Sequence, residues 1–368
     1  MSAKQSINPR PSIFAINTSL SARNPPGSKP AQCGTFRFPG GCHCFRSAGT
    51  AAAIAYVNAT PRSYTLAIDR DVYSGPTPNL AANNANLLIY GHGEPREIRF
   101  TSIAPANNQR LFDVGSTAGV ANPMLTLGNR ITLVGRTQGQ HGQTANNAVD
   151  LVSVAGLYSR LIMQAGSRIT GHTTTAGNGA VVVDRSNFIT RGEITGNRST
   201  STDTNAVGGV RLFNTSTIRM EVGSRIDGNT RGLLANPIPA DISMPATTRA
   251  FELAGGNIMI GTLIMDATAG NNPVITIDNT TGWSGRIANL DLRQTQTAIA
   301  TVVDTWTGNT VVRSRTQSMV LGTLADIGSI QRRFVGTANT VQQPFATGNH
   351  RLALEEGDDG YWIGVVRN

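Results

Sequence analysis

From about residue 63 onward, apolar and polar residues alternate in short runs. Tyr64, Leu66 and Ile68 make one run, Leu87 and Ile89 a second, and Ile98 and Phe100 a third. Leu125 and Leu127, then Ile131 and Leu133, continue the pattern. Each run has period 2, spans three to six residues and is bounded by Gly, Asn, Pro or Asp, which predicts short half-buried strands. No segment in this region sustains the i, i+3, i+4, i+7 stripe of an amphipathic helix. One short helix is expected earlier, over 49–58 (GTAAAIAYVN), with Ala and Ile on one face. Residues 1–48 are rich in Pro, Gly, Ser and Arg, show no period, and read as a flexible or loosely packed arm.

The strands recur as a repeat. LIMQAGSRITGH (161–172), FITRGEITGN (188–197) and IRMEVGSRIDGN (218–229) align, with Gly166, Gly192 and Gly223 26 and 31 residues apart. GAVVVD (179–184) and GGVRLF (208–213) lie between them. Fainter copies run at 125–136, 251–261 and 273–293. A unit of this size cannot bury its own apolar side, so successive units must stack. The expected fold is therefore all-β: a right-handed parallel β-helix, with inward Ile, Val, Met and Leu columns and parallel pairing between rungs. His172, Asn197 and Asn229 fall at equivalent turn positions and are expected to form a structural hydrogen-bond ladder along the axis. Arg130, Arg168, Glu193 and Arg225 precede the repeated Ile and are expected to form an outward column, with the glutamate relieving like-charge repulsion. The three arginines are the expected surface-binding residues. Inserts at 173–178, 198–207 and 231–250 follow the turns and are expected to project on one face. The expected boundaries are an arm at 1–48, an N-terminal cap at 49–62, the β-helix at 63–299 and a C-terminal β cap at 300–368. The cap includes a hairpin turning at Asp359-Gly360.

Composition narrows the functions. Charged residues are 14% of the chain, well below the usual quarter or so, which excludes a coiled coil and a charge-driven disordered chain. The net charge is +9, and lysine occurs only at Lys4 and Lys29, so the positive charge is almost all arginine. The arginines form no run and are not interleaved with aromatics, which argues against specific nucleic-acid binding. No apolar stretch is long enough to span a membrane, and no secretory signal is legible at the N-terminus. Cys33, Cys42 and Cys44 sit within twelve residues around His43. Their spacing matches no standard finger, and whether they pair, bind a metal or do neither stays open. No cofactor and no metal site is expected.

Catalytic signatures are thin. G-x-S-x-G, the P-loop and G-x-G-x-x-G after a strand are all absent. The repeat region has no D-D or D-x-D pair. If an enzyme is hidden here, Asp184, Arg185, Arg191 and Glu193 are its residues, with Asp184 and Glu193 approaching across a corner as a carboxylate pair.

The series ITLVGR, LIMQAGSRITGH, NGAVVVD, FITRGEITGN, GGVRLF, IRMEVGSRIDGN resembles the right-handed parallel β-helix repeat proteins of Treponema and related spirochaetes. Their repeat reads G-G-x-V-x-V, then F-x-M-x-G-G-x-I-x-G-N-T. The likeness covers about residues 60–295. It implies a pectin-lyase-like fold and an extracellular or cell-surface location. The chain departs from that pattern in carrying Arg where small or acidic residues are usual. The function expected from all this is a non-enzymatic surface solenoid with a structural or adhesive role. It would self-assemble into a homo-oligomer or filament, or bind an acidic glycan or a host or cell surface. The alternative is a carbohydrate-active β-helix, a polysaccharide lyase or a phage-tailspike-like depolymerase.

Overall fold

The structure, a computed structural model, describes residues 49–101, 109–115, 121–140, 143, 145–245, 248 and 250–266. It also describes the strands Ser12–Ile16, Ile275–Asp278, Gly285–Arg293, Ala300–Val303, Val312–Thr316, Phe334–Gly336, His350–Gly357 and Gly360–Arg367. The cysteines lie outside the described residues, as does Asp359.

The chain winds as an all-β parallel solenoid. Each full rung contributes a strand to each of three faces. On the first face the order is Ser63–Ile68, Asn86–Gly91, Met124–Leu127, Arg160–Met163, Asn187–Thr190, Thr217–Met220 and Ala250–Ala254, all parallel. The second face runs Val72–Ser74, Arg96–Phe100, Ile131–Val134, Arg168–Thr170, Glu193–Thr195 and Arg225–Asp227. The third runs Phe112–Gly115, Val152–Ala155, Val181–Asp184, Val210–Phe213 and Ile242–Pro245. One nine-residue strand, Ile258–Asp266, continues both the second and third faces and joins them into one sheet.

Register explains the core. Tyr64, Leu87, Leu125, Leu161, Phe188, Ile218 and Phe251 stack in one inward column of the first face, and all are buried. Ile98, Leu133, Ile169, Ile194 and Ile226 do the same on the second, and Phe112, Val152, Val181, Val210 and Ile242 on the third. Burying each such side chain stabilises by about 1.5–3 kcal/mol. Thr190 is the polar exception in its column. It is fully buried, and its hydroxyl accepts the Gly192 amide at 3.0 Å. The turn on that rung is two residues shorter than its neighbours, so Gly192 passes directly over Ser167. A Cβ at Gly192 would stand 2.5 Å from the Ser167 Oγ and 2.8 Å from its carbonyl oxygen.

The helix Gly49–Ala59 lies against the first rung, burying Thr50, Ala53, Ile54 and Val57. The Thr50 Oγ1 sits 2.6 Å from the Ser74 Oγ. Three findings differ from the sequence expectation. Ser12–Ile16, inside the segment read as an arm, pairs in parallel with Ser63–Ile68, because its SIFAI run matches the strand pattern of the rung it meets. Parallel pairing continues past residue 299, through Ala300–Val303 and Phe334–Gly336 on the first face and Val312–Thr316 on the second. Gly360–Arg367 then pairs antiparallel both with Val312–Thr316 and with His350–Gly357. Finally, the insert expected over 231–250 ends at residue 240, since Ile242 pairs with Val210 as a third-face strand. The inserts begin with a small fourth sheet of Thr173–Thr174, Arg198–Ser199 and Thr230–Arg231, closed by an antiparallel Ile238–Pro239.

Candidate functional site

His172, Asn197 and Asn229 lie on successive rungs, fully buried, at the corner between the second and third faces. The Asn197 Oδ1 accepts the His172 amide at 3.1 Å. The Asn229 Oδ1 accepts the Asn197 amide at 3.1 Å and its side-chain Nδ2 at 2.9 Å. Asp241 ends the series, accepting the Asn229 amide at 2.7 Å, the Asn229 Nδ2 at 2.8 Å and the Thr262 amide at 2.6 Å. At the other end the Arg136 amide donates to the His172 Nδ1 at 3.4 Å, so Nε2 carries the proton toward the Val149 carbonyl at 2.9 Å. Burial pushes His172 down to about 4. Burial pushes Asp241 up to about 6, against the N–H groups it accepts. These are supports for the backbone, closed to solvent.

The outward arginine column is corrected at its first member. Arg168 pairs with Thr132 and then with Glu193, which pairs with Arg225. Arg130 lies two residues before Thr132, in a left-handed turn with φ 58°, and its Nη1 donates to the Gly93 carbonyl at 2.6 Å. Aligning the Ile of each repeat misplaces this rung by two residues. A shift of two keeps the same side chains inward, so the hydrophobic pattern gives no warning. Arg168 stands 4.0 Å from Glu193, and Arg225 2.7 Å from Asp227. Their charges are matched on the surface.

The proposed catalytic four do not come together. Asp184 ends a third-face strand and Glu193 begins a second-face strand, with Asn187–Thr190 of the first face running between them. Four residues of strand are roughly 13 Å, so the two acids sit at two different corners and not across one. Glu193 faces Arg168. Arg191 joins a separate chain of ion pairs through Glu221 at 2.6 Å, continuing to Arg219 at 3.1 Å and Glu252 at 2.7 Å. Arg185 stays beside Asp184 at 3.5 Å.

Asp184 instead belongs to a groove on the outside of the third face. The groove has a volume of about 430 Å³ and crosses five rungs, from Asn79 to Asn214. Its floor follows the outward column Asp113, Ser153, Val182, with Gly115, Ala155, Asp184 and Phe213 in the next column but one. Arg110 enters at one end. Its Nε and Nη2 donate to the two oxygens of buried Asp150 at 2.7 and 3.2 Å, and its Nη1 lies 3.7 Å from Asp113. Burial raises the pKa of both Asp150 and Asp113, and Arg110 opposes it. The Asn79 Nδ2 donates to the Gly115 carbonyl at 2.6 Å. At the other end Asn214 donates its Nδ2 to Asp184. Arg211 stacks its guanidinium 4.7 Å over the Phe213 ring and donates to the Asn178 Oδ1 at 3.3 Å. Arg185 and Asn214 occupy equivalent corners with φ 51° and 50°, left-handed values that a non-glycine side chain resists. The next corner back, 156–159, exposes Leu157 and Tyr158.

Sequence reasoning named Asp184 only as a partner for Glu193 across a corner, and it named none of Arg110, Asp113, Phe213 and Asn214. The available signal was the third-face column itself: FDVG, VSVA, VVVD and VRLF align in register. Connections of differing length separate these runs, and that hid their equivalence.

By register, Asp113 and Asp184 are two rungs and two residues apart. At about 4.8 Å per rung and 3.3 Å per residue, their Cα atoms are roughly 12 Å apart. Retaining glycosidases hold their carboxylates about 5–5.5 Å apart and inverting ones about 6.5–9.5 Å. Among the described residues, no three His, Cys, Asp or Glu side chains gather as a metal site, and no helix is long and apolar enough to cross a membrane.

Fold and groove together define a parallel β-solenoid with an open polar channel along one face. Compared with family models, with characterised proteins and with solved structures, the chain finds no match.

Proposed function

We propose that the chain is a right-handed, pectin-lyase-like β-helix whose third face binds a carbohydrate in a non-enzymatic structural or adhesive role at a cell surface. Right-handed crossovers are the rule for parallel strands joined within one sheet, and the repeat resemblance points the same way. The surface location rests on that resemblance.

The observation that carries the binding role is the groove. A sugar presents hydroxyls that both donate and accept, beside apolar C–H faces. Asp113, Asp184, Asn79 and Asn214 supply matching polar atoms, and Phe213 supplies an aromatic flank under a guanidinium. The groove runs along the solenoid axis, so a linear polymer fits it better than a compact ligand. Its charges are mixed, which suits a neutral or sparsely acidic glycan better than a dense polyanion. Both carboxylates are already engaged, Asp113 with Arg110 and Asp184 with Asn214 and Arg185, which favours binding over turnover.

The test is a titration of the full chain against immobilised neutral and acidic oligosaccharides at low and high salt. Phe213→Ala and Asp184→Ala are each expected to weaken binding about tenfold, equal to about 1.4 kcal/mol. Binding that survives both changes, or no binding to any saccharide, sinks the proposal. A second reading follows from two carboxylates sharing one groove. Reducing ends or unsaturated products that vanish in Asp184→Asn would replace adhesion by a carbohydrate-active role.

A further inference from the structure

A second surface feature stands apart from the groove. Residues 233–239, LLANPIP, form a finger in which every residue is exposed and none is charged. Leu233, Leu234 and Ile238 are 64%, 77% and 44% exposed, and exposed apolar side chains grouped this way mark an interaction site. The finger is anchored, not loose. Gly232 turns it with φ 84°, the Asn236 amide donates to the Leu233 carbonyl at 3.1 Å, and Ile238–Pro239 pairs back on Thr230–Arg231. The Ala240 amide then returns to the Asn229 carbonyl of the buried ladder at 2.9 Å.

Cations stand behind the tip. The Arg198 Nη2 donates to the Gly232 carbonyl at 2.7 Å, and the Arg231 Nη1 to the Asp203 carbonyl at 3.0 Å. Arg198 makes no ion pair among the described residues. The whole chain carries +9.

We propose that this finger inserts into the interface of an anionic lipid membrane, with Leu233, Leu234 and Ile238 entering the headgroup–acyl boundary and Arg198 and Arg231 meeting lipid phosphates. Three physical points favour a lipid over a protein partner. An uncharged apolar tip with a basic collar is the arrangement that partitions into an anionic interface. Pro237 and Pro239 have no N–H, so two of seven backbone donors that would resist leaving water are missing. And seven residues are few beside the roughly 20–30 a side of a standard protein interface.

The experiment is co-sedimentation of the full chain with phosphatidylcholine vesicles, with and without phosphatidylserine. Partitioning is expected into the phosphatidylserine vesicles and should weaken with salt. Leu233→Ser with Leu234→Ser should lower it about a hundredfold, since each lost apolar side chain is worth a factor of about ten. Both sites are exposed, so an unchanged circular dichroism spectrum will confirm the fold. Arg198→Gln should lower binding to phosphatidylserine vesicles by about fivefold and leave the weak binding to phosphatidylcholine unchanged. Absence of partitioning, or equal partitioning of the leucine variant, overturns the proposal. So does loss of a wild-type oligomer in that variant without vesicle binding, which would assign the finger to a second copy of the chain.

Discussion

At the residue scale, the buried ladder holds two titratable groups whose pH effects oppose each other. His172 has its pKa pushed down from 6.5 to about 4 by burial. The unfolded chain therefore takes up its proton first, and stability is lost as pH falls from 6.5 to about 4. Asp241 has its pKa pushed up from 3.8 to about 6 by burial. Here the folded chain holds the proton longer, and stability is lost as pH rises from 3.8 to about 6. Each effect amounts to about 3 kcal/mol at full extent, at 1.36 kcal/mol per pKa unit. Between pH 4 and 6 they largely cancel. Replacing one group uncovers the other. Relative to wild type, His172→Asn is expected to gain about 3 kcal/mol as pH drops from 7 to 4. Asp241→Asn is expected to lose a similar amount, relative to wild type, as pH drops from 6 to 4. Urea unfolding at a series of pH values measures both differences, and other carboxylates drop out of the comparison. Variant curves that run parallel to wild type across this window would show that neither group titrates as the burial requires.

At the element scale, the entry to the third face is closely packed. A Cβ on Gly208 would stand 2.4 Å from the Asn197 carbonyl and 2.6 Å from the Thr230 carbonyl, both backbone atoms of a stacked corner. Gly208→Ala should cost several kcal/mol, more than the ~1 kcal/mol centre of the distribution for point changes, and show as a large drop in the urea midpoint. A midpoint within error of wild type would mean the corner is looser than it stands here. The contrast between faces also explains what was legible in the sequence. First- and second-face strands are joined by short turns of nearly constant length, so their motifs repeat visibly, and Gly166 and Gly223 punctuate them. Third-face strands follow inserts of unequal length, so VVVD and VRLF were recognised as strands but not placed in one column with FDVG and VSVA. The groove lies on that column and was hidden with it. The ladder residues were legible because each sits at a fixed distance after its repeated Ile. The Arg130 misplacement has the opposite origin: a two-residue shift preserves the inward pattern, so the repeat looks the same while the outer column slips.

At the scale of the whole molecule, a solenoid's stability is close to a sum over rungs and their interfaces, so a complete rung should be removable in register. Residues 187–216 form such a unit, because Asn187 pairs with Thr217 and each is preceded by a buried corner serine, Ser186 or Ser216. Joining Ser186 to Thr217 would set Leu161 on Ile218 and Met163 on Met220, both apolar contacts. It would bring the His172 amide to the Asn229 Oδ1 in place of Asn197. It would also set Arg168 directly beside Arg225, with Glu193 gone. Like charges directly opposed on neighbouring strands cost up to about 1 kcal/mol. The shortened chain is expected to fold with the same β circular dichroism and a lower melting temperature, and Arg168→Glu in that background should restore part of the loss. The same charge reversal in the full-length chain should destabilise, since it places two glutamates together. The deletion also removes Phe213 and Asn214, so saccharide binding should vanish, while vesicle binding through residues 233–239 should persist at about a fifth of its strength, since Arg198 goes with the deleted rung. A shortened chain that is molten, or whose stability ignores the sign at position 168, would show that the rungs are not interchangeable units and that stability resides in contacts the register does not describe.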